Sequence, residues 1–282
     1  MAVRDFAVAV MECVKYEAAG NDFLVLFDTQ LKVPFSSELV SALCERHRGV
    51  GADGVLLLSD GHAGATVTMR LKNADGTDAE TSGNGLRCAA LAVVQAGLGT
   101  EDFVIETIAG PARCVVHLVE PGFAEVTVEM GKAKVEALEA SIEGRAAYRV
   151  EVGNPHLVLV GGSLDGVDLE RVGPRLEKAV PGGQNVEVVA AGQDPGRIAL
   201  RTWERGAGLT EACGSGSVAA AAACRFAGLA SSRVVVDNPG GPLIVELSGA
   251  DPARPLASLT GPARRVARVE VEVGALVSEL GR

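Results

Sequence analysis

Apolar and polar residues alternate along several short segments of the chain, which is the pattern of half-buried β-strands. Clear examples are VTMRLKN (67–73), AEVTVEM (124–130), YRVEVG (148–153), RIALRTWE (197–204) and ARVEVEV (267–273). Residues 36–47 follow a helical period instead, with a serine as the N-cap. Two more helices, at 86–97 and 217–228, are apolar on nearly all sides, so we expect both to be buried.

Both apolar helices follow segments that occur twice. Residues 73–90 read NADGTDAETSGNGLRCAA and residues 204–221 read ERGAGLTEACGSGSVAAA. In each copy a small side chain with an exchangeable proton, Ser82 or Cys213, comes nine positions after a polar residue and opens a Gly-x-Gly sequence. The copies are 131 residues apart; residues 54–57 match 185–188 at the same offset, and residues 20–26 match 153–159 at an offset of 133. Three landmarks in the same order indicate an internal duplication.

This duplication predicts an α+β fold made of two pseudo-symmetric domains. We expect each domain to be a strongly curved mixed sheet wrapped around its buried central helix, with the active site in the cleft between the two. The N-terminal domain is expected to span residues 1–123 and the C-terminal domain residues 124–262, with the linker near Pro121-Gly122. The segment 263–282 is expected to pack back on the first domain, and residues 1–10 precede the repeat without an assigned function.

Composition narrows the classes of function. Hydrophobic residues make up 48% of the chain but aromatic ones only 4%, so the core must be built mainly from Val, Leu and Ala. The net charge of −10 argues against a nucleic-acid partner. No apolar run is long enough to span a bilayer and no export signal is evident, which, with six cysteines that form no CxxC pair, favours the cytoplasm. The four histidines do not cluster, so no metal site is expected.

The Gly-x-Gly sequences suggest a way to bind a carboxylate. Backbone N–H groups at a helix N-terminus have no partner within the helix, and the helix dipole adds partial positive charge there. We expect this position to lower the pKa of the Cys213 thiol, so that it can remove a proton from the α-carbon of a bound amino acid. Two such turns facing each other would put Ser82 and Cys213 on opposite faces of one α-carbon, which suits inversion of a stereocentre.

No cofactor is expected for this chemistry. The chain has no phosphate-binding loop of the Gly-x-x-x-x-Gly-Lys-Ser/Thr type, and neither Gly-x-Gly sequence lies in a dinucleotide-binding pattern. No lysine lies in a setting that suggests a Schiff base with pyridoxal phosphate.

Over almost its whole length beyond residue 11, the chain resembles diaminopimelate epimerases. The strings that carry the resemblance are AAGNDFLVL (18–26), RHRGVGADG (46–54), NADGTDAETSGNGLRC (73–88), GNPH (153–156), NVE (185–187) and RTWERGAGLTEACGSG (201–216). The resemblance implies interconversion of LL- and meso-diaminopimelate, a precursor of lysine and peptidoglycan. It also implies that two cysteines do this without pyridoxal phosphate, in a protein that often forms homodimers.

Residue roles follow from the same resemblance. Cys213 stands at one of the two catalytic cysteine positions and Ser82 stands at the other. Glu204 would hold the α-ammonium group, and His156 would lie beside the site. The α-carboxylate would be bound by backbone N–H groups of Gly83, Asn84, Gly214 and Ser215, and the rest of the substrate, largely its distal end, by Asn21, Asn73, Asn154, Asn185 and Arg205.

The serine at position 82 leaves several interpretations open. Ser82 could relay a proton through water, or be only a turn and N-cap residue in a one-base racemase or dehydratase. It could also replace a cysteine in an engineered, inactive epimerase, and a non-catalytic amino-acid-binding protein is a fourth possibility. Cys213 could itself be a small core residue, as we expect for Cys44, Cys88, Cys114 and Cys224.

Overall fold

The computed structural model describes residues 10–31, 33–79 and 82–277. Contacts divide the chain into two compact units: unit 1 runs up to Val126 and resumes at Pro262, and unit 2 spans Thr127–Gly261. Two strands, β8 (Phe123–Lys132) and β17 (Leu256–Glu272), run through these boundaries. Residues 1–9, which belong to the segment before the repeat, and residues 278–282, which end the segment expected to pack on the first domain, lie outside the described residues.

Unit 1 is mixed α/β. Its strands are β1 (Val10–Ala18), β2 (Asn21–Phe27), β3 (Gly54–Asp60), β4 (Val67–Asn73), β5 (Asp78–Ala79), β6 (Asp102–Thr107) and β7 (Gly110–Glu120). Its helices are α1 (Ser37–Cys44), α2 (Gly83–Gln95) and α5 (Val273–Val277), with a 3-10 turn at Asp28–Gln30.

The sheet of unit 1 mixes parallel and antiparallel pairs. β1 pairs with β2 in antiparallel fashion, β2 with β3 in parallel, β3 with β4 in antiparallel fashion and β4 with β6 in parallel. β6 and β7 form an antiparallel pair, and the second part of β17 pairs with β1 from Val10↔Glu272 to Glu17↔Arg264. Residues 264–272 therefore complete the sheet of unit 1.

Unit 2 repeats this order of elements. Its strands are β9 (Lys134–Ala137), β10 (Ala146–Glu151), β11 (Pro155–Val160), β12 (Asn185–Ala191), β13 (Arg197–Glu204), β14 (Gly208–Thr210), β15 (Arg233–Asn238) and β16 (Gly241–Ser248). Its helices are α3 (Leu169–Glu177) and α4 (Gly214–Phe226), with a 3-10 turn at Leu164–Gly166. β11 pairs with β12 in parallel, β12 with β13 in antiparallel fashion and β13 with β15 in parallel, as in the corresponding strands of unit 1.

Each unit buries one apolar helix, as the sequence predicted. Residues 83–93 of α2 are all buried, and α2 contacts β1, β2, β3, β4 and β7. In α4, residues 216–224 are buried, and this helix contacts β9, β10, β11, β12, β13, β15 and β16. A helix touched by so many strands of its own unit has no face left for solvent, which explains why its sequence lacks a polar stripe.

Amphipathic helices cover a second face in each unit. Leu39, Val40 and Leu43 of α1 pack against a cluster that includes Leu24, Leu26 and residues of β1 and β3. In unit 2, buried residues of α3 pack on β11 and β12, with Trp203 alongside. As predicted, Ser36 caps α1: its side chain accepts a hydrogen bond from Leu39 N at 3.3 Å.

The central helices begin three residues earlier than the sequence suggested. α2 starts at Gly83 and α4 at Gly214, so each Gly-x-Gly sequence forms the first helical turn rather than a separate turn before the helix. The physical reason is capping, because Ser82 and Cys213 each accept a hydrogen bond from the N–H three residues ahead. None of the helices in the described part of the chain is long and apolar enough to cross a membrane.

Candidate active site

Ser82 is the N-cap of α2 in unit 1. Its backbone is extended, and its Oγ accepts a hydrogen bond from Gly85 N at 3.0 Å. We call Ser82–Gly85 the Ser82 turn. A Cβ at Gly85 would lie 3.2 Å from Ser82 Cβ and 3.3 Å from Leu56 Cδ2, so the turn packs closely against the apolar strand β3.

A chain of side-chain hydrogen bonds runs from behind the Ser82 turn. Arg87, which is fully buried, donates from Nη2 to Asn84 Oδ1 at 2.9 Å. Asn84 Nδ2 donates to Asn21 Oδ1 at 3.2 Å, and Asn21 Nδ2 donates to Asp53 Oδ2 at 2.6 Å. The structure thus brings Asn21 and Asn84, both predicted as site residues, into direct contact.

The acidic end of this chain belongs to a cluster of charges. Asp53 pairs with Arg46 at 2.7 Å, and Arg46 also donates two hydrogen bonds to Asp22. Lys15 pairs with Asp22 at 2.7 Å. Burial alone would raise the pKa of Asp22, but hydrogen bonds from Arg46 and Lys15 outweigh it and hold that pKa below its ordinary value.

Asn73 lies apart from this chain within unit 1. It is the last residue of β4 and is exposed, and its Nδ2 donates to Thr77 Oγ1 at 3.0 Å across the turn that leads to β5. Its counterpart 131 residues later, Glu204, ends β13 in the same way.

Cys213 is the N-cap of α4 in unit 2. Its Sγ accepts a hydrogen bond from Gly216 N at 3.3 Å and lies 3.6 Å from Ser215 Oγ. We call Cys213–Gly216 the Cys213 turn. Gly216 is required here, because a Cβ would lie 2.8 Å from Glu187 Oε1 and 3.2 Å from the Cys213 Sγ.

The pKa of the Cys213 thiol departs from expectation. We predicted that the helix N-terminus would lower it, but burial raises it well above its ordinary value, and the nearby carboxylates Glu204 and Glu187 raise it further. The hydrogen bonds from Ser215 and Gly216 N act in the lowering direction and are outweighed. These surroundings favour the protonated thiol at neutral pH.

Behind the Cys213 turn lies a buried pair, His156 and Glu187. His156 Nδ1 is 2.8 Å from Glu187 Oε1, and both side chains are fully buried. The other ring nitrogen, Nε2, lies 2.9 Å from Asn154 Oδ1. His156 also pairs in register with Asn185 across β11 and β12, so three predicted site residues adjoin one another here.

The hairpin between β13 and β14 carries the remaining site residues of unit 2. Thr210 Oγ1 donates to Glu204 Oε1 at 2.6 Å, and burial raises the pKa of the Glu204 carboxyl. Asn185 Oδ1 accepts from the backbone N–H of Arg205 at 2.8 Å, whereas the exposed Arg205 guanidinium donates to Gly182 O at 3.1 Å.

The first residues of α2 and α4 supply the predicted backbone donors. Gly83 and Asn84 in unit 1, and Gly214 and Ser215 in unit 2, occupy the first two helical positions. N–H groups at these positions have no acceptor within the helix. Among the residues that the structure describes, no group of three or more His, Cys, Asp or Glu side chains could hold a metal ion.

Three residues that contact or support these turns were not among the predicted site residues: Arg87, Asp53 and Glu187. Each had a visible signal. Arg87 is a charge inside an otherwise apolar helix, Asp53 lies in a string that carried the resemblance, and Glu187 is a carboxylate at the position where the first copy of the repeat has Leu56.

Comparison with solved structures supports the fold. A phenazine biosynthesis protein of the PhzF family from Bacillus anthracis superposes with a TM-score of 0.72 at 16% identity, over 93% of this chain and 99% of that one. A probable proline racemase from Agrobacterium radiobacter K84 gives a TM-score of 0.71 at 18% identity, over 93% and 92%. At these identities the likeness shows the fold alone, a mixed α/β fold rich in strands.

Comparison of sequences identifies the family. The family profile of diaminopimelate epimerase matches residues 13–136 and 148–266. Curated relatives named diaminopimelate epimerase include one from Synechococcus sp. (strain JA-3-3Ab), 39% identical over 88% of this chain and 94% of its own length. Another, from Rhodococcus jostii (strain RHA1), is 38% identical over 94% of this chain and 98% of its own length. The chain therefore belongs to the diaminopimelate epimerase family.

Proposed function

We propose that this chain inverts the α-carbon of diaminopimelate, interconverting the LL and meso forms without a cofactor. The observation that carries the proposal is the pair of matched helix N-termini, each capped by a side chain that has an exchangeable proton, Ser82 and Cys213. Membership of the family supports the choice of substrate.

Units 1 and 2 would act as two pseudo-symmetric domains that share one substrate. The similar offsets of the repeats, 131 and 133 residues, and the recurrence of the same strand pairings in both units support this view. In this proposal Ser82 and Cys213 would act on opposite faces of the α-carbon.

The substrate would be held by complementary groups at its two ends. First-turn N–H groups of Gly83, Asn84, Gly214 and Ser215 would bind the α-carboxylate, to which helix N-termini are suited. Glu204 would pair with the α-ammonium group. Arg205 would recognise the distal carboxylate, together with the side chains of Asn21, Asn73, Asn154 and Asn185.

Inversion would then proceed by removal of the α-proton on one face and delivery of a different proton on the other. A base takes the α-proton, the electron pair of the C–H bond delocalises into the α-carboxylate, and an acid on the opposite face donates a proton to the carbon. Cys213, a thiol at rest, serves as the acid in one direction. It serves as the base in the other direction, once the ammonium group has offset the charge of Glu204 that raises the pKa of the thiol.

Ser82 would be the weaker partner. A hydroxyl is a much weaker acid than a thiol, so we propose that Ser82 passes the proton through a water molecule rather than holding it as an alkoxide. A second candidate is one-base chemistry at Cys213 alone. The identity of the residue at position 82 favours it, because a serine hydroxyl is a common structural N-cap and a much weaker acid than the thiol that makes the matching bond at Cys213.

One experiment separates these readings. LL- or meso-diaminopimelate is incubated with the protein in D₂O, and α-deuterium and configuration are followed by mass spectrometry and chiral chromatography. Deuterium incorporation with inversion supports the epimerase, and incorporation with retained configuration supports one-base chemistry. Binding by calorimetry without any exchange would show a protein that only binds amino acids, and would contradict the proposed function.

A further inference from the structure

The hydrogen-bond chain of unit 1 has a direction that is fixed by its ends. It runs from Arg87 through Asn84 and Asn21 to Asp53, with heavy-atom distances of 2.9, 3.2 and 2.6 Å. An amide side chain has a donor and an acceptor and can be turned over, so an asparagine does not fix its own orientation. A guanidinium only donates and a carboxylate only accepts, so a chain between them can run one way only.

The guanidinium at the inner end is unusual in its surroundings. Arg87 is fully buried, and its recorded hydrogen bonds go to three neutral acceptors: Asn84 Oδ1, Gly83 O at 3.3 Å and Pro262 O at 3.1 Å. Burial lowers the pKa of Arg87 to about 10, so the group still carries its proton at neutral pH. The nearby carboxylate of Glu17 acts in the raising direction and is outweighed. Burying a charge whose hydrogen-bond partners are all neutral is costly, and two of these three partners belong to the Ser82 turn.

We propose that Arg87 and Asp53 are positioning residues that polarise this chain and so hold the Asn21 and Asn84 amides in one orientation before the substrate arrives. Asn84 supplies its amide N–H to Asn21 and takes a hydrogen bond from Arg87. Asn21 directs one N–H to Asp53 and keeps the second for a ligand. The inference rests on the proposed function, in which both asparagines belong to the substrate site.

The benefit of such a chain is preorganisation. A site whose amides can turn over must be ordered again each time a ligand binds, which weakens binding. Either end alone is enough to set the direction: with Arg87 intact, a neutral amide at position 53 would still accept, and with Asp53 intact, a neutral amide at position 87 would still donate. Loss of both ends removes the two groups in this chain that can only donate or only accept.

This redundancy gives a sharp test by a double-mutant cycle. The Kd for diaminopimelate is measured by calorimetry for Arg87→Gln, Asp53→Asn and the double variant. Each single variant should have a Kd within a small factor of the parent's. If the two changes acted independently, the Kd of the double variant would rise by the product of the two single increases. We expect it to rise further than that product, by an additional factor of roughly 2 to 100. A double variant that equals the product, within about twofold, overturns the inference.

Matched variants exclude a purely structural explanation. Arg87→Lys keeps a group that only donates, so Arg87→Lys combined with Asp53→Asn should show no coupling. A second control is the exposed ion pair Arg113–Asp102 in the same unit, 2.7 Å apart, where Arg113→Gln with Asp102→Asn removes the same charges. Coupling of the same size in either control would overturn the inference.

Folding and function are checked separately. If Arg87→Gln does not fold, Asn84→Asp replaces it: the new carboxylate can pair with Arg87 but cannot donate to Asn21, so it conflicts with Asp53 through Asn21. Asp53→Asn should therefore raise the unfolding midpoint in the Asn84→Asp background relative to its effect in the parent, as a restoration of the compatible direction. Absence of that restoration contradicts the inference. Failure of the parent protein to bind or turn over diaminopimelate would instead contradict the proposed function, because the cycle needs a parent that binds.

Discussion

The Ser82 turn and the Cys213 turn have the same capping hydrogen bond, but different side chains pack against them. Both cap a buried helix with a side chain that accepts from the N–H three residues ahead. Behind Gly85 lies the apolar side chain of Leu56, whereas behind Gly216 lies the carboxylate of Glu187. The two turns thus share their capping geometry, while the groups around their two proton-bearing side chains differ.

The charges around the two turns differ in sign. In unit 1, the buried guanidinium of Arg87 contacts the turn itself, and the corresponding position in unit 2 is Val218. In unit 2, Glu187 and Glu204 raise the pKa of Cys213. Since a nearby positive charge favours an ionised acid and a nearby negative charge disfavours it, a thiol placed at position 82 should ionise more readily than the thiol at position 213 does.

The two units also differ in how they hold an asparagine. Asn21 lies in a chain whose direction is set by groups that can only donate or only accept. Its counterpart Asn154 contacts His156, whose ring nitrogen can do either. The orientation of Asn154 therefore follows from the tautomer of a histidine, and that of Asn21 does not.

The strongest test of this comparison removes the thiol of unit 2. Cys213→Ala should reduce α-proton exchange by roughly 10²–10⁴ or more, because a positioned acid–base group is lost. Exchange into diaminopimelate is measured in D₂O, with far-UV circular dichroism to check folding. The matched control is Cys224→Ala, which removes a buried thiol from the same helix outside the turn and should leave exchange unchanged. Undiminished exchange in Cys213→Ala would rule out the assignment.

The next test gives unit 1 the side chain that unit 2 already has. Ser82→Cys should raise epimerisation by roughly 10²–10⁴, because a thiol at a helix N-terminus next to a guanidinium ionises far more readily than a hydroxyl. The parent protein should exchange mainly the epimer whose C–H bond faces Cys213. Rapid exchange of both epimers by the parent, with no gain in the variant, would mean that Ser82 is already a competent partner.

Around Ser82 and Cys213, some features of the fold could be predicted from the sequence and others could not. The duplication predicted the two buried helices, and the strand 197–204 coincides with β13. Those features follow from local periodicity and from matched offsets. The helix starts were misplaced because capping by Ser82 and Cys213 extends each helix over its glycines, which depends on side-chain geometry.

The electrostatics of the site could not be predicted from local signals. A position before a helix indicated a lowered pKa for Cys213, but Glu187 and Glu204 come from other strands, and their proximity exists only in the folded chain. The same holds for Arg87 and Asp53, which are 34 positions apart in the sequence and are linked only through two asparagines.

A third test asks which unit binds the distal carboxylate of the substrate. Arg205 has Ala74 as its counterpart in unit 1, so distal recognition by a guanidinium belongs to unit 2 alone. Arg205→Lys should weaken diaminopimelate roughly ten- to a hundred-fold, the value of a charge-assisted hydrogen bond, and affect a monocarboxylic amino acid much less. The ratio of the two Kd values is measured by calorimetry. Equal losses for both ligands would show that Arg205 does not read the distal carboxylate.

The smallest expected effect concerns the acidity of Cys213 without substrate. Burial and two carboxylates raise the pKa of this thiol, so Glu204→Gln should lower that pKa, increase the thiolate fraction at a given pH and move the alkylation profile toward lower pH. Glu187→Leu, which gives unit 2 the residue type of unit 1, should act in the same direction. We expect iodoacetamide to label Cys213 up to about tenfold faster at fixed pH in each variant, as quantified by peptide mass spectrometry.

The matched control is Glu211→Gln, which removes an exposed carboxylate two residues from Cys213 and should leave the pH dependence of alkylation unchanged. A profile that shifts to higher pH, or shifts equally in the control, would show that the carboxylates behind the Cys213 turn do not set its acidity.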